Sequence, residues 1–163
     1  MTATGEPERA GEPLTNDQVR EILPHRWPFL LLDRVEKVDA GVGGVAIKNV
    51  AATEMWFQGH FPTASVFPGV LVIEAMAQLA GVVFALAGAG PIGYLAGVRT
   101  MRFRRPVMPG DQLVLTADRT AGGRGFSEFK VSARVDGQIA AEGTITIADP
   151  AATSPTGKSE TGQ

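Results

Sequence analysis

The chain contains no cysteine, which excludes disulfides, thiolate nucleophiles and thiolate metal ligands. It has only two histidines, His25 and His60, far apart in sequence and without acidic residues clustered at ligand spacing, so no metal centre is expected. No Walker-type sequence is present, and no cofactor is expected. Charge of either sign is also scarce in excess: 17 acidic residues stand against 15 basic ones, for a net charge of -2. Such a balance gives no general attraction to nucleic acid, so an acidic partner would have to be met by a local patch.

What is present fits one globular domain. At 163 residues, with 44% hydrophobic and 20% charged, the chain can bury a sizeable core. Residues 1–13 are polar and lack the apolar centre of a signal peptide, so they are expected to form a disordered leader. Residues 14–149 are expected to form the domain, and residues 150–163, rich in Pro, Ser, Thr and Gly, a disordered tail. Without an export signal, a cytoplasmic location is expected. The apolar run from Gly69 to Gly90 is interrupted by Glu74 and Gln78 and is rich in Ala and Gly. It reads as a buried core helix and not as a membrane span.

The chain is organised around residues 56–81, WFQGHFPTASVFPGVLVIEAMAQLAG. His60 sits in a Gly/Pro loop, and Glu74 lies inside an otherwise apolar helix. Moving a carboxylate into such surroundings disfavours its charged form unless a partner compensates, so Glu74 is a candidate acid. Pro68-Gly69 suits a helix start, where free backbone N–H groups can bind negative charge. A candidate base, a candidate acid and a candidate oxyanion donor at Gly69 thus lie in one short stretch, the parts needed to move protons beside a carbonyl. Gln78, one turn after Glu74, can orient the carboxyl or a water, or satisfy a buried polar group. His25, in the turn PHRWPF, adjoins no carboxylate or nucleophile in sequence and is read as structural.

The rest of the chain reads as short helix, hairpin, helix, then strands. Thr15 and Gln18 have capping-box spacing, and Pro24 ends that helix. Residues 29–39 and 45–51 read as strands joined by a turn at 40–44, and the central helix is expected to break near Gly88–Pro91. Residues 93–105 read as extended, with Met101 and Phe103 packing while Arg102 and Arg104 face out. Leu113, Leu115 and Ala117 alternate, as do Phe129, Val131, Ala133 and Val135, with a loop at 121–125 between the two strands. Asp136-Gly137 signals a hairpin into Ile139, Ala141, Ile145 and Ile147. The order β-β-α-β-β-β-β, with an antiparallel sheet burying one apolar helix, is an α+β architecture.

The stretch GHFP followed by PGVLVIEAMAQ resembles the 3-hydroxyacyl-[acyl-carrier-protein] dehydratases of bacterial type II fatty acid synthesis, which adopt the hot-dog fold. ILPHRWPFLLLDRV and GYLAGVRTMRFRRPVMPGDQL resemble the same family, and the stretches occur in the family's order between residues 22 and 113. The resemblance implies a catalytic pair at His60 and Glu74, no cofactor, and reversible dehydration of a (3R)-3-hydroxyacyl thioester to the trans-2-enoyl thioester. It also implies an acyl carrier protein bearing the substrate on a phosphopantetheine arm. Two subunits would share each site, with the histidine from one and the glutamate from the other, in a dimer or a larger, possibly heteromeric, assembly.

On this reading Arg99, Arg102, Arg104 and Arg105 are the carrier-docking candidates, with an ordinary solvated strand face as the alternative. Phe57, Phe61 and Phe67 are candidates to line the acyl tunnel, or else plain core. The chain departs from the family with Thr63, Ala64 and Ser65 where Gly, a residue and Pro are usual, and with Trp27 and Trp56 where Tyr and Phe are usual. A polyketide or polyene pathway is compatible with these departures. A hot-dog thioesterase and a weakly catalytic partner subunit of a heteromeric dehydratase are the other readings.

Overall fold

Thr15 starts the first regular element as its sequence requires. Its side chain caps α1 (Asn16–Ile22), and the Gln18 side chain returns to the Thr15 backbone N–H, closing a full capping box. Leu23 and Pro24 then end the helix. These and the following observations come from a computed structural model that describes residues 11–90 and 92–153.

Six strands form one antiparallel sheet: β1 (Arg34–Asp39), β2 (Gly43–Asn49), β3 (Tyr94–Phe103), β4 (Gln112–Gly123), β5 (Phe126–Val135) and β6 (Gln138–Ala148). Their spatial order is β1-β2-β4-β5-β6-β3, which leaves β1 and β3 at the edges. The sheet wraps the central helix α2 (Gly69–Leu86), which follows a 3-10 turn at Met55–Gln58.

The wrapping follows from period-two and period-3.6 patterns that face one another. Leu113, Leu115, Ala117, Phe129, Val131, Ala133, Ile145 and Ile147 turn inward and are buried. From the helix they meet Val72, Ala75, Met76, Leu79, Ala80, Val82 and Val83, which are also buried. Each fully buried large apolar side chain is worth about 1.5–3 kcal/mol, so this layer holds the helix against the sheet. At Gly44 an added Cβ would lie 3.1 Å from the Leu79 Cδ1, so glycine lets β2 and α2 approach closely here. The apolar run read as a core helix is therefore α2, long and apolar enough to cross a membrane by composition, but packed inside the sheet.

Several boundaries differ from the sequence reading. β1 starts only at Arg34, because Phe29, Leu31 and Leu32 give backbone groups to the Gln78 and Asn16 side chains instead of to a ladder. β2 begins at Gly43, within the expected turn. The expected loop at 121–125 narrows to Arg124 and Gly125, with Gly125 at φ 80, because β4 runs on to Gly123. Asp136 and Gly137 both have positive φ, 49 and 77, the geometry of a tight primed hairpin turn.

At the end of β3 Met101 packs on the core and Arg102 and Arg104 are exposed, as expected, but Phe103 does not pack. Thr100 has φ 52, the register to β6 shifts between Arg99 and Arg102, and Phe103 is 52% exposed. Gly88, Gly90 and Gly93 have the spacing of a dinucleotide-binding loop but connect a helix to a strand, the reverse of the order such a loop needs. Pro150–Thr153 makes one helical turn at the start of the expected tail. The rest of that tail and residues 1–10 of the expected leader lie outside the described residues.

Candidate active site

His60 is positioned by a loop tied to the sheet at Glu54. One Glu54 carboxylate oxygen accepts from Lys48 Nζ at 2.8 Å and from the Ala51 N–H at 3.0 Å, and the other from Trp56 Nε1 at 2.9 Å. Lys48 is itself buried, with its ammonium 5.4 Å from the Phe67 ring centre. The loop then closes on itself: Phe61 and Ala64 exchange backbone hydrogen bonds, and the Val66 N–H donates to the His60 carbonyl at 3.1 Å. Thr63, Ala64 and Ser65 thus make a closed turn without the usual Gly and Pro, and the His60–Phe61 peptide is cis.

His60 Nδ1 lies 2.8 Å from the Val66 carbonyl. A carbonyl only accepts, so Nδ1 carries the proton and Nε2 of the neutral ring is left with its lone pair. The Phe61 ring stacks on the imidazole with centroids 4.1 Å apart. A tethered ring with one free basic nitrogen is suited to take a proton.

Glu74 projects from the second turn of α2 with its side chain 19% exposed. Its surroundings are less apolar than the sequence suggests. Oε1 accepts from Gln78 Nε2 at 2.9 Å and lies 3.3 Å from His25 Nε2. Gln78 is buried and also spans to the chain before β1, accepting from the Leu31 N–H at 2.8 Å and donating to the Phe29 carbonyl at 2.7 Å. It therefore orients the carboxyl and satisfies buried backbone at once. Glu74, His25 and Gln78 border a cavity of about 430 Å³ whose other walls include Leu23, Ala77, Gly81, Tyr94, Leu95 and Ile147.

Gly69 is the first residue of α2, and Pro68 before it supplies no side-chain cap. Among the described residues the Gly69 N–H has no acceptor, which leaves it open to a negatively charged oxygen. A Cβ at Gly69 would stand 3.0 Å from the Phe103 ring.

No carboxylate adjoins His25 in sequence, but one does in the fold: packing of α1 and the following turn on α2 brings Glu74 against it. The contact joins residues 25 and 74, so no local pattern announces it.

Phe57 and Phe67 are buried, with ring centroids 6.3 Å apart, and belong to the core, while Phe61 is 50% exposed over His60. None of the three lines the cavity beside Glu74. Of the four arginines, Arg99 pairs with Glu128, Arg104 with Glu142 at 2.7 Å, and Arg105 with Asp111 at 3.4 Å. Among the described residues only Arg102 of this group makes no ion pair. On one chain His60 and Glu74 have separate partners, and among the described residues no hydrogen bond or ion pair joins them.

Comparison with known proteins identifies the family. A FabA-like domain model matches residues 23–144. A relative from Ruminiclostridium cellulolyticum, named 3-hydroxyacyl-[acyl-carrier-protein] dehydratase FabZ, is 49% identical over 137 residues, covering 83% of this chain and 96% of its own. A relative of the same name from Sodalis glossinidius is 46% identical over 136 residues, covering 81% and 90%. Among solved structures, the dehydratase heterocomplex ApeI:P from Xenorhabdus doucetiae matches with a TM-score of 0.68 at 22% identity, covering 81% of this chain and 90% of that one. A hypothetical thioesterase with coenzyme A from Streptococcus pneumoniae matches at 0.57 and 16% identity, covering 70% and 82%. These structural matches show the hot-dog fold alone. The family match and the identity over most of the chain show more: the protein belongs to the FabA-like family, in its branch of 3-hydroxyacyl-[acyl-carrier-protein] dehydratases.

Proposed function

We propose that this chain dehydrates a (3R)-3-hydroxyacyl thioester carried on an acyl carrier protein to the trans-2-enoyl thioester in fatty acid biosynthesis. His60 Nε2 takes the C2 proton, and Glu74 gives a proton to the C3 hydroxyl as the C–O bond breaks. Water leaves, and the electron pair from C2 forms the double bond. The negative charge that develops on the thioester oxygen meets the open Gly69 N–H at the positive end of α2. The observation that carries this reading is the Nδ1 bond of His60 to the Val66 carbonyl, which leaves Nε2 able to accept a proton.

Two copies build the site. A single chain leaves His60 and Glu74 with separate partners, and β3 forms an open edge on which Tyr94, Leu95, Val98 and Phe103 are exposed. An apolar edge of this kind is suited to pairing with a second copy, and a two-fold arrangement would bring His60 of one chain to Glu74 of the other. The carrier protein, being acidic, would meet Arg102 and its paired neighbours.

The test is hydration of a crotonyl or longer enoyl thioester on a carrier protein, followed by loss of the enoyl absorbance. Activity in the parent that falls by roughly 10²- to 10⁴-fold in both His60→Ala and Glu74→Gln is expected. No turnover at any acyl length, or release of free thiol in place of hydration, would overturn the reading.

A further inference from the structure

His25 is held with unusual firmness for a turn residue. The Arg26 guanidinium donates to the Leu23 carbonyl at 2.9 Å and to the His25 carbonyl at 2.6 Å, fixing the backbone around it. The imidazole stacks on Phe29, with centroids 6.3 Å apart and planes within 18°. Phe29 in turn gives its carbonyl to Gln78, so one assembly holds both groups that reach Glu74.

The two ring nitrogens have different surroundings. Nε2 faces Glu74 Oε1 at 3.3 Å, whereas Nδ1 is buried with no hydrogen-bond partner. A proton on Nδ1 would be a buried donor without an acceptor, and an imidazolium would add a charge there. The arrangement that avoids both is a neutral ring with its proton on Nε2, donating to Glu74. Oε1 then accepts from Gln78 and faces the N–H of His25 at 3.3 Å, and Oε2 is the oxygen left to carry and release a proton.

We infer that His25 is a positioning residue that works with Gln78 to fix which oxygen of Glu74 delivers the proton and to stabilise the carboxylate formed when it leaves. As the proton departs from Oε2, negative charge spreads to Oε1, and the Gln78 hydrogen bond and the His25 N–H contact both strengthen as that charge develops. A donor whose bond grows toward the transition state raises kcat, whereas one that binds equally throughout changes only affinity. His25 itself exchanges no proton with substrate. The inference rests on the proposed role of Glu74 as proton donor.

The test compares His25→Leu, His25→Gln and Glu74→Gln with the parent in dehydration of a (3R)-3-hydroxyacyl thioester, the direction in which Glu74 loses its proton. A glutamine can present an N–H close to the position of imidazole Nε2, and leucine cannot. Leucine should lower kcat roughly 10- to 100-fold with little change in KM, and glutamine should stay within about threefold of the parent. Full activity in His25→Leu, or equal loss in both His25 variants, overturns the inference while leaving the dehydratase reading intact. Parent-like activity in Glu74→Gln overturns the role of Glu74, and the inference with it. A long-range proton–nitrogen correlation spectrum of the intact protein reads the contact without turnover: a proton on Nε2 of His25 is expected, and one on Nδ1 overturns the assignment.

Discussion

Gln78 Nε2 donates to Glu74 Oε1 at 2.9 Å, one helical turn back along α2, while Gln78 Oε1 accepts from the Leu31 N–H at 2.8 Å. One buried amide therefore couples the carboxyl of the site to the backbone segment that precedes β1. The same segment carries His25 and Phe29, so the polar contacts of Glu74 and the packing of residues 25–31 depend on each other.

Gln78→Leu tests that coupling. It leaves the Leu31 N–H and the Phe29 carbonyl buried without their partner, at a cost of about 1–3 kcal/mol for each orphaned group. Urea unfolding should show a lower midpoint with an unchanged slope. A midpoint equal to the parent's would mean that this bridge contributes no stability.

Glu54→Leu tests the tether of the His60 loop. The change leaves Lys48 buried without its carboxylate and should lower stability by about 3–5 kcal/mol. Pairing it with Lys48→Met removes the stranded charge, so the double variant should recover most of the loss, measured by the same denaturant titration.

Gly81 lines the cavity beside Glu74. A Cβ there would meet Leu23 Cδ2 at 3.4 Å, an ordinary contact, so Gly81→Leu should fold and place its longer side chain in the cavity. Helix propensity favours the change, leucine being a far better helix former than glycine. Turnover of short enoyl thioesters should persist, while longer chains lose at least about tenfold in kcat/KM. An equal effect across chain lengths would show that the acyl chain does not occupy this cavity.

Thr15→Ala removes the capping box of α1 and should cost about 1 kcal/mol by thermal or urea unfolding. The effect on turnover should be smaller than that of any change at Gln78, because Thr15 touches none of the groups around Glu74.

The sequence made legible what local chemistry decides. Thr15 and Gln18 form the box that their spacing requires, Asp136-Gly137 makes the tight turn, and the alternation at 113–117 and 129–135 identifies buried faces. α2 starts at Gly69 after Pro68 and presents Glu74 and Gln78 one turn apart. What it hid depends on contacts across the fold. His25 meets Glu74 only because the turn after α1 folds onto α2, and no periodicity reports a contact between residues 25 and 74. Phe57 and Phe67 lie near the histidine in sequence but turn into the core, since the loop direction is set by the Glu54 tether. On β3, past the positive φ at Thr100, Phe103 stays exposed where MRFRR suggests packing. Residues 29–32 read as strand because they are apolar, yet the Phe29 carbonyl, the Leu31 N–H and the Leu32 carbonyl are taken by side chains.

His60 and Glu74 are proposed to act together across two chains, and complementation between single variants tests this. His60→Ala and Glu74→Gln chains are expressed separately and then together at equal levels, and hydration of an enoyl thioester on a carrier protein is measured. Each variant alone should be nearly inactive. Random pairing places one intact His60 opposite one intact Glu74 in half of the sites of mixed dimers, so the co-expressed protein should recover about one quarter of the parent rate. Absence of recovery, with both variants folded and assembled, would contradict a site shared between two copies.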